Sequence, residues 1–223
     1  MNRYAIIVAG GKGSRFGKDV PKQFTELAGM PLICYPLSVF NGLAEIILVL
    51  PSDYIDHWRS IIQQHKIRIS HSIVEGGGTR TGSVKNGLDM ISEDGEALVA
   101  VHDAARPLVT AKLAAKAFEE AEDFGSAVPV IPVHDTIREI NEGLSKAVDR
   151  SRLRKVQTPQ VFKYQTLLQA YKQELNPSYT DDASLVEALG YKVHYFTGEI
   201  TNFKVTTQED LSLAEAWLKN QQL

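Results

Sequence analysis

Residues 8–24, VAGGKGSRFGKDVPKQF, place four glycines and four basic side chains directly after a short apolar run. Glycine lets backbone N–H groups approach an anion closely, and lysine or arginine beside such a turn neutralises phosphate charge. The stretch therefore suits a polyphosphate. Two known phosphate loops fail on spacing. The dinucleotide fingerprint G-x-G-x-x-G fits Gly11 and Gly13, but the next glycine, Gly17, comes one residue late, and the second apolar run ends in Leu50 and Pro51 without the expected acid. The ATP-type loop requires a hydroxyl after Gly-Lys, and here Gly13 follows Lys12. What remains is a third kind of cradle, Gly11 to Gly17, flanked by Ser14, Arg15, Lys18 and Lys22. On composition alone, a strand-to-helix turn with a solvated basic rim is the plain alternative.

Other reactive side chains are sparse. His57, His65, His71, His134 and His194 are scattered without metal-ligand spacing, so no zinc site is expected. His102 lies beside Asp103, which invites a relay, but a histidine at a strand end reads first as structural. The single cysteine, Cys34, excludes an intrachain disulfide and sits in the apolar run MPLICYPL as a buried thiol. A net charge of −3 over 223 residues argues against a nucleic-acid partner. There is no signal-peptide pattern and no run of about 18 apolar residues, so no membrane is expected and the chain reads as cytoplasmic.

These groups need a frame. Apolar runs at 4–10, 45–50, 67–77, 97–107 and 126–133 read as strands, several dense enough in Val, Ile and Leu to be buried on both faces. Between them, 32–43, 54–65, 81–92 and 111–125 carry apolar residues at helical spacing. The alternation predicts one α/β domain over 1–223, a Rossmann-like, mostly parallel sheet with helices on both faces. Ligands of such sheets bind beyond the carboxyl ends of the strands, where residues 9–17, 75–83 and 102–107 converge. Residues 133–156 differ: an alternating run, the turn NEGLS and a second extended run predict a projecting hairpin arm. A lone two-stranded arm is marginally stable, which points to dimerisation through it. Thr180 or Asp181 is placed to cap a helix ending at Gly190, a strand follows at 191–198, and a last helix begins near Gln208.

AGGKGSRFG followed by PKQF is similar to the signature of the nucleotidyltransferases that join a nucleoside triphosphate to a sugar or polyol phosphate. EGGGTRTGSVKNGL (75–88), VHDAARP (101–107), VDRSRLRKVQTPQVF (148–162), TDDAS (180–184) and NFKVTTQEDL (202–211) then resemble, in order, the remaining signatures of the 2-C-methyl-D-erythritol 4-phosphate cytidylyltransferase family. The resemblance spans essentially the whole chain. It implies a nucleotide-diphospho-sugar transferase-like fold, a homodimer held by the β-arm, and transfer of a cytidylyl group from CTP to a polyol phosphate in the non-mevalonate route to isoprenoid precursors. Mg²⁺ is implied as well, bound mainly through the CTP phosphates, with Asp103 the nearest protein group.

Residue by residue, Arg15 and Lys22 match the family's two catalytic cations at the triphosphate. Ala9, Gly10, Gly76, Gly77 and Ser83 match the cytosine site, and Gly11, Gly13, Ser14 and Asp103 complete the expected nucleotide contacts. Asp103, Arg106 and Lys204 match the acceptor side, to which Thr136 and Arg150 are expected to come from the other subunit; Thr158 lies beside the arm. Asp103 and Arg106 also admit a plain internal ion pair. Arg80 matches a family arginine, but helix capping or a surface position would explain it equally. Gly82 stands where relatives often carry an acid. Two readings compete with the first. A ribitol-5-phosphate cytidylyltransferase shares the loop, although Ala105 and TDDAS favour the methylerythritol acceptor, and a CTP-binding sensor would use the same loop without catalysis.

Overall fold

The computed structural model describes residues 1–10, 21–92, 95–173 and 179–220. β1 (Asn2–Val8) opens the chain, and the ladder of β2 (Glu26–Leu27) and β3 (Met30–Pro31) leads into α1 (Cys34–Phe40). Three strand–helix pairs follow: β4 (Glu45–Leu50) with α2 (Ile55–Gln64), β5 (Ser72–Glu75) with α3 (Arg80–Leu88), and β6 (Ala97–Asp103) with α4 (Ala111–Phe124). After β7 (Ser126–Pro132) come the hairpin β8 (Ile137–Asn141) and β9 (Leu144–Val148), then β10 (Arg154–Val156) and β11 (Gln160–Lys163). The chain ends with α5 (Tyr164–Lys172), α6 (Asp182–Ala188), β12 (Tyr195–Thr197) and α7 (Gln208–Asn220).

The main sheet has eight strands in the order β10-β7-β11-β6-β1-β4-β5, with β12 pairing to β7. β1 runs parallel to β4 and β6, and β5 parallel to β4, as the alternation predicts. The sheet departs from that reading at β11, which lies antiparallel between β6 and β7. Its four residues follow Thr158-Pro159, and a strand so short beside a proline leaves almost no periodic signal. The expected strand over 191–198 contracts to three residues, and that over 67–77 to four.

Alternation along the central strands feeds two apolar layers. Ala5 and Ile7 of β1, with Leu98 and Ala100 of β6, pack toward Phe40, Trp58 and Phe118 on α1, α2 and α4. Ile6, Val99 and Val101 face the other way, onto α3, α5 and α6 through Val84, Leu167, Tyr171 and Leu185. Every residue of β6 is buried, as a strand covered on both faces requires. α4 is bracketed by a Thr110 side chain accepting from Leu113 N–H and by Gly125 in the left-handed region at φ +81°. Asp181 caps α6 by accepting from Ser184 N–H, and Gly190 follows at φ +84°. The hairpin turns at Glu142 and Gly143, whose φ values of +48° and +83° suit the right-handed twist of a two-residue connection. None of the described helices is long and apolar enough to cross a membrane.

Candidate active site

Strand register builds the site. Val8 of β1 sits beside Val49 of β4 and Asp103 of β6, so three parallel strands end at one level. The loops that leave them, together with Lys22, Ser83 and Lys204, line a cleft of about 570 Å³. Ala9, Gly10, Gly76, Gly77 and Asp103, all expected in the nucleotide site, are on its wall. Gly11, Gly13, Ser14 and Arg15 lie outside the described residues.

Ser83 organises the floor. It sits in the first turn of α3, which Thr79 caps by accepting from Gly82 N–H. The Ser83 hydroxyl donates to Thr79 O at 2.9 Å and accepts from Gly77 N–H at 3.1 Å, fixing the glycine loop against the helix. Glycine is required here by contact. A Cβ on Gly10 would lie 2.7 Å from Ser83 Oγ, and one on Gly77 would lie 2.8 Å from the backbone of Gly82. Gln23 donates to Ala9 O at 2.7 Å, while the Lys22 ammonium donates to Val205 O at 3.1 Å, so the PKQF segment is tied to both ends of the cleft.

Asp103 is the electrostatic centre. Its Oδ1 accepts from Arg80 Nε at 3.1 Å and its Oδ2 from Lys204 Nζ at 2.9 Å, with Arg106 Nε 3.6 Å from Oδ2. Burial alone pushes this carboxyl up, but Arg80, then Lys204 and Arg106, hold it well below the usual carboxylate range. Arg80 is neither a cap nor a surface group, which settles the alternatives its position left open. Its guanidinium bridges Asp103 to Asp182, donating from Nη1 at 3.2 Å and Nη2 at 2.8 Å to a fully buried carboxylate. The two acids more than offset the cost of burying it and raise its pKa further. Asp103 and Arg106 do form an ion pair, but within this larger cluster, and Arg106 also donates to Asn202 O at 2.9 Å.

A second chamber of about 320 Å³ adjoins the first and shares Arg80, Asp103 and Lys204 with it. Arg106, Thr158, Gln160, Thr180 and Asp181 complete its wall. Thr158 Oγ1 accepts from Asp103 N–H at 3.1 Å and lies 3.0 Å from His102 Nδ1, while His102 Nε2 lies 3.3 Å from Arg106 O. A carbonyl only accepts, so Nε2 carries the proton and Thr158 donates to Nδ1. Burial lowers the His102 pKa to about 4, with Arg106 also opposing a second charge. His102 is thus a neutral structural strut. Cys34 is buried, its thiol pushed by burial up to about 12, and it has no place in the cleft.

Thr136 and Arg150 belong to neither chamber of this chain. Both are exposed, and Arg150 Nη1 donates to His134 O at the foot of the hairpin. Three contributors escaped the sequence reading. Asp53 borders the larger chamber from the loop after β4, and Asp182 and Tyr171 form the buried end of the Arg80 bridge. The doubled acid in TDDAS was the available signal: one carboxylate satisfies the cap, leaving its neighbour for another task.

Among the described residues, no group of three or more His, Cys, Asp or Glu could hold a metal ion. Asp103 offers one carboxylate at the junction of the chambers. A single carboxylate beside substrate phosphates and water is a usual setting for Mg²⁺, so the donor set fits a metal carried in by a nucleotide.

Comparison with known proteins gives a consistent result. Residues 4–220 match the family model described as 2-C-methyl-D-erythritol 4-phosphate cytidylyltransferase. The chain is 43% identical over 221 residues to the protein of that name from Bacteroides thetaiotaomicron, covering 98% of this chain and all of the relative. It is 44% identical over 220 residues to that of Porphyromonas gingivalis, covering 98% of each. The crystal structure of the Thermus thermophilus protein of the same name superposes with a TM-score of 0.79 at 36% identity, over 98% of this chain and all of that one.

Proposed function

The chain belongs to the 2-C-methyl-D-erythritol 4-phosphate cytidylyltransferase family and transfers a cytidylyl group from CTP to that acceptor in the non-mevalonate isoprenoid pathway; from this premise we propose that the two adjoining chambers divide the substrates between them. The larger chamber takes the nucleotide and the smaller one the acceptor. The observation that carries this reading is their shared wall, Arg80, Asp103 and Lys204, which sets cationic groups where two anionic substrates must meet.

The acceptor's phosphate oxygen forms the new bond to the α-phosphorus, the bond from that phosphorus to the bridging oxygen breaks, and pyrophosphate carries away the electron pair. A phosphate monoester is already largely dianionic near neutral pH, so the nucleophile needs no general base. A neutral, fully bonded His102 is consistent with that. Such transfer depends on placement and charge neutralisation, the roles proposed for Arg15 and Lys22 at the triphosphate and for Lys204 and Arg106 at the acceptor side. Ala9, Gly10, Gly76, Gly77 and Ser83 form the cytosine wall, where backbone groups read the amine edge and close packing excludes a purine. Asp103 would stand nearest a Mg²⁺ ion bound through the triphosphate, and that ion would supply charge neutralisation on the phosphate oxygens.

The arm, about residues 133–156, is proposed to join two copies. Its Ile140 and Leu144 are 73% and 77% exposed, and an unsupported two-stranded ribbon is marginal in water. A partner copy would cover them and bring Thr136 and Arg150 to the acceptor chamber, which of this chain's own arm only Val156, at its base, lines.

Pyrophosphate release across a panel of nucleoside triphosphates and polyol phosphates tests the assignment. CTP with the methylerythritol phosphate is expected to turn over fastest, and Lys204→Ala to lose most of that rate. Faster turnover of ribitol 5-phosphate, or full activity in Lys204→Ala, would refute the acceptor or the site.

A further inference from the structure

Among the described residues, three cations surround Asp103, and they are held very differently. Arg80 commits three N–H groups to carboxylates, one to Asp103 and two to Asp182. Asp182 is fully buried and also accepts from the Tyr171 hydroxyl at 2.5 Å. Its backbone is pinned too: Gln160 Oε1 accepts from the N–H groups of Asp182 and Ala183 at 3.1 and 2.9 Å, and Gln160 Nε2 donates to Asp181 at 3.0 Å. Arg80 is therefore gripped by an α6 carboxylate that α5 and β11 in turn hold in place. Lys204 is the opposite case. Its side chain is 40% exposed, against 25% for Arg80, and its flexible ammonium reaches Asp103 as a point charge. Arg106 contacts Asp103 only at 3.6 Å, but its guanidinium is held by the Asn202 and Val156 carbonyls, to which it donates at 2.9 and 3.4 Å.

We infer that Arg80, clamped by Asp182 and Tyr171, is the fixed positioning partner of Asp103, and that this releases Lys204 to turn toward substrate phosphates without Asp103 losing its place. An incoming phosphate competes with Asp103 for the same cations. Were Lys204 and Arg106 its sole partners, substrate binding would strip the carboxylate of its counter-charges in a buried setting, a costly change. The bidentate grip of Asp182 fixes the Arg80 guanidinium, so that its one N–H to Asp103 keeps its place under that competition, whereas the single contact of a flexible ammonium does not. Asp182 and Tyr171 face no chamber and act only through Arg80.

This inference rests on the reading of Lys204 as a phosphate-binding group, and the test separates the two. Asp182→Asn, Tyr171→Phe and Arg80→Lys are compared with Lys204→Ala by steady-state kinetics in both substrates, CTP calorimetry and thermal melting, with rates scaled to the folded fraction. Asp182→Asn and Arg80→Lys are expected to lower kcat about 10- to 100-fold while the CTP Kd and acceptor KM stay within about threefold. Tyr171→Phe, which removes one hydroxyl and keeps the packing, should shift kcat in the same direction by about threefold or more. Lys204→Ala should weaken substrate binding as well as turnover. Folded Asp182→Asn and Tyr171→Phe with parental kcat would overturn the inference, as would a loss of substrate affinity in Arg80→Lys matching that of Lys204→Ala. Full activity in Lys204→Ala would instead remove the reading on which it stands.

Discussion

The sheet rim and the hairpin arm hold their polar residues in opposite ways. β6 is buried along its whole length, paired to β1 on one side and β11 on the other, and it delivers Asp103 into a cluster of three cations. Among the described residues, the β8–β9 hairpin of the arm pairs as a separate two-stranded ribbon, and its Ile140 and Leu144 side chains face outward. At the rim, position follows from packing within one chain. At the arm, Thr136 and Arg150 are exposed and line neither chamber, and Arg150 is held only locally, through His134 O, so a second surface must bring a substrate to them if they are to touch one. Under the proposed assignment, the nucleotide is gripped by the rim of one chain, while an acceptor enclosed by an arm depends on assembly.

The contrast can be broken at several points. The largest expected effect is at the rim: Lys22→Ala should lower kcat about a thousandfold, the scale of losing one preorganised charge at a transition state, with the fold retained. Pyrophosphate release and circular dichroism check it. Acid should loosen the rim next. The His102 pKa is depressed from 6.5 to about 4, so the unfolded chain takes the proton first as pH falls. Stability is then lost between those two values, by about 3 kcal/mol in total for a shift of this size. Asp103, depressed in the native state, contributes fully above the ordinary carboxylate range and is lost only at stronger acidity. Denaturation midpoints from about pH 7 to about pH 4 should show the slope, and His102→Gln should flatten it. The smallest effect is at the arm. Ile140→Ser with Leu144→Ser should change the stability of the dilute, dissociated chain by no more than about 0.5 kcal/mol, as exposed positions do. Sedimentation should nevertheless show a weakened dimer. A large loss of stability in the dissociated chain would mean that the arm packs on its own domain.

Legibility in the sequence followed the same division. The parallel strands and the helices between them were readable because burial on both faces writes dense apolar runs, as in EIILVL, whose predicted and observed bounds coincide at 45–50. The hairpin was readable from alternation and its turn. β11 was not, because its place is set by pairing with β6 and β7 rather than by its own short sequence. For the site, glycines and lysines in order along the chain pointed to the cleft, and register then placed Gly10, Gly76 and Asp103 together. The Arg80–Asp182–Tyr171 bridge was out of reach: residues 80 and 182 meet only through tertiary packing, and each has an ordinary local explanation as a helix-start residue.

Subunit mixing shows directly whether the arm of a second copy completes the site. Chains carrying Lys22→Ala lack a working rim, and chains carrying Arg150→Ala lack a working arm. In a mixed dimer, one site combines an intact rim with an intact arm from the other chain. Random exchange of the two inactive proteins should therefore restore about a quarter of the parental rate of pyrophosphate release, since half the dimers are mixed and each has one intact site. Exchange demonstrated by native mass spectrometry, with no gain in rate over the separate variants, would contradict the shared site.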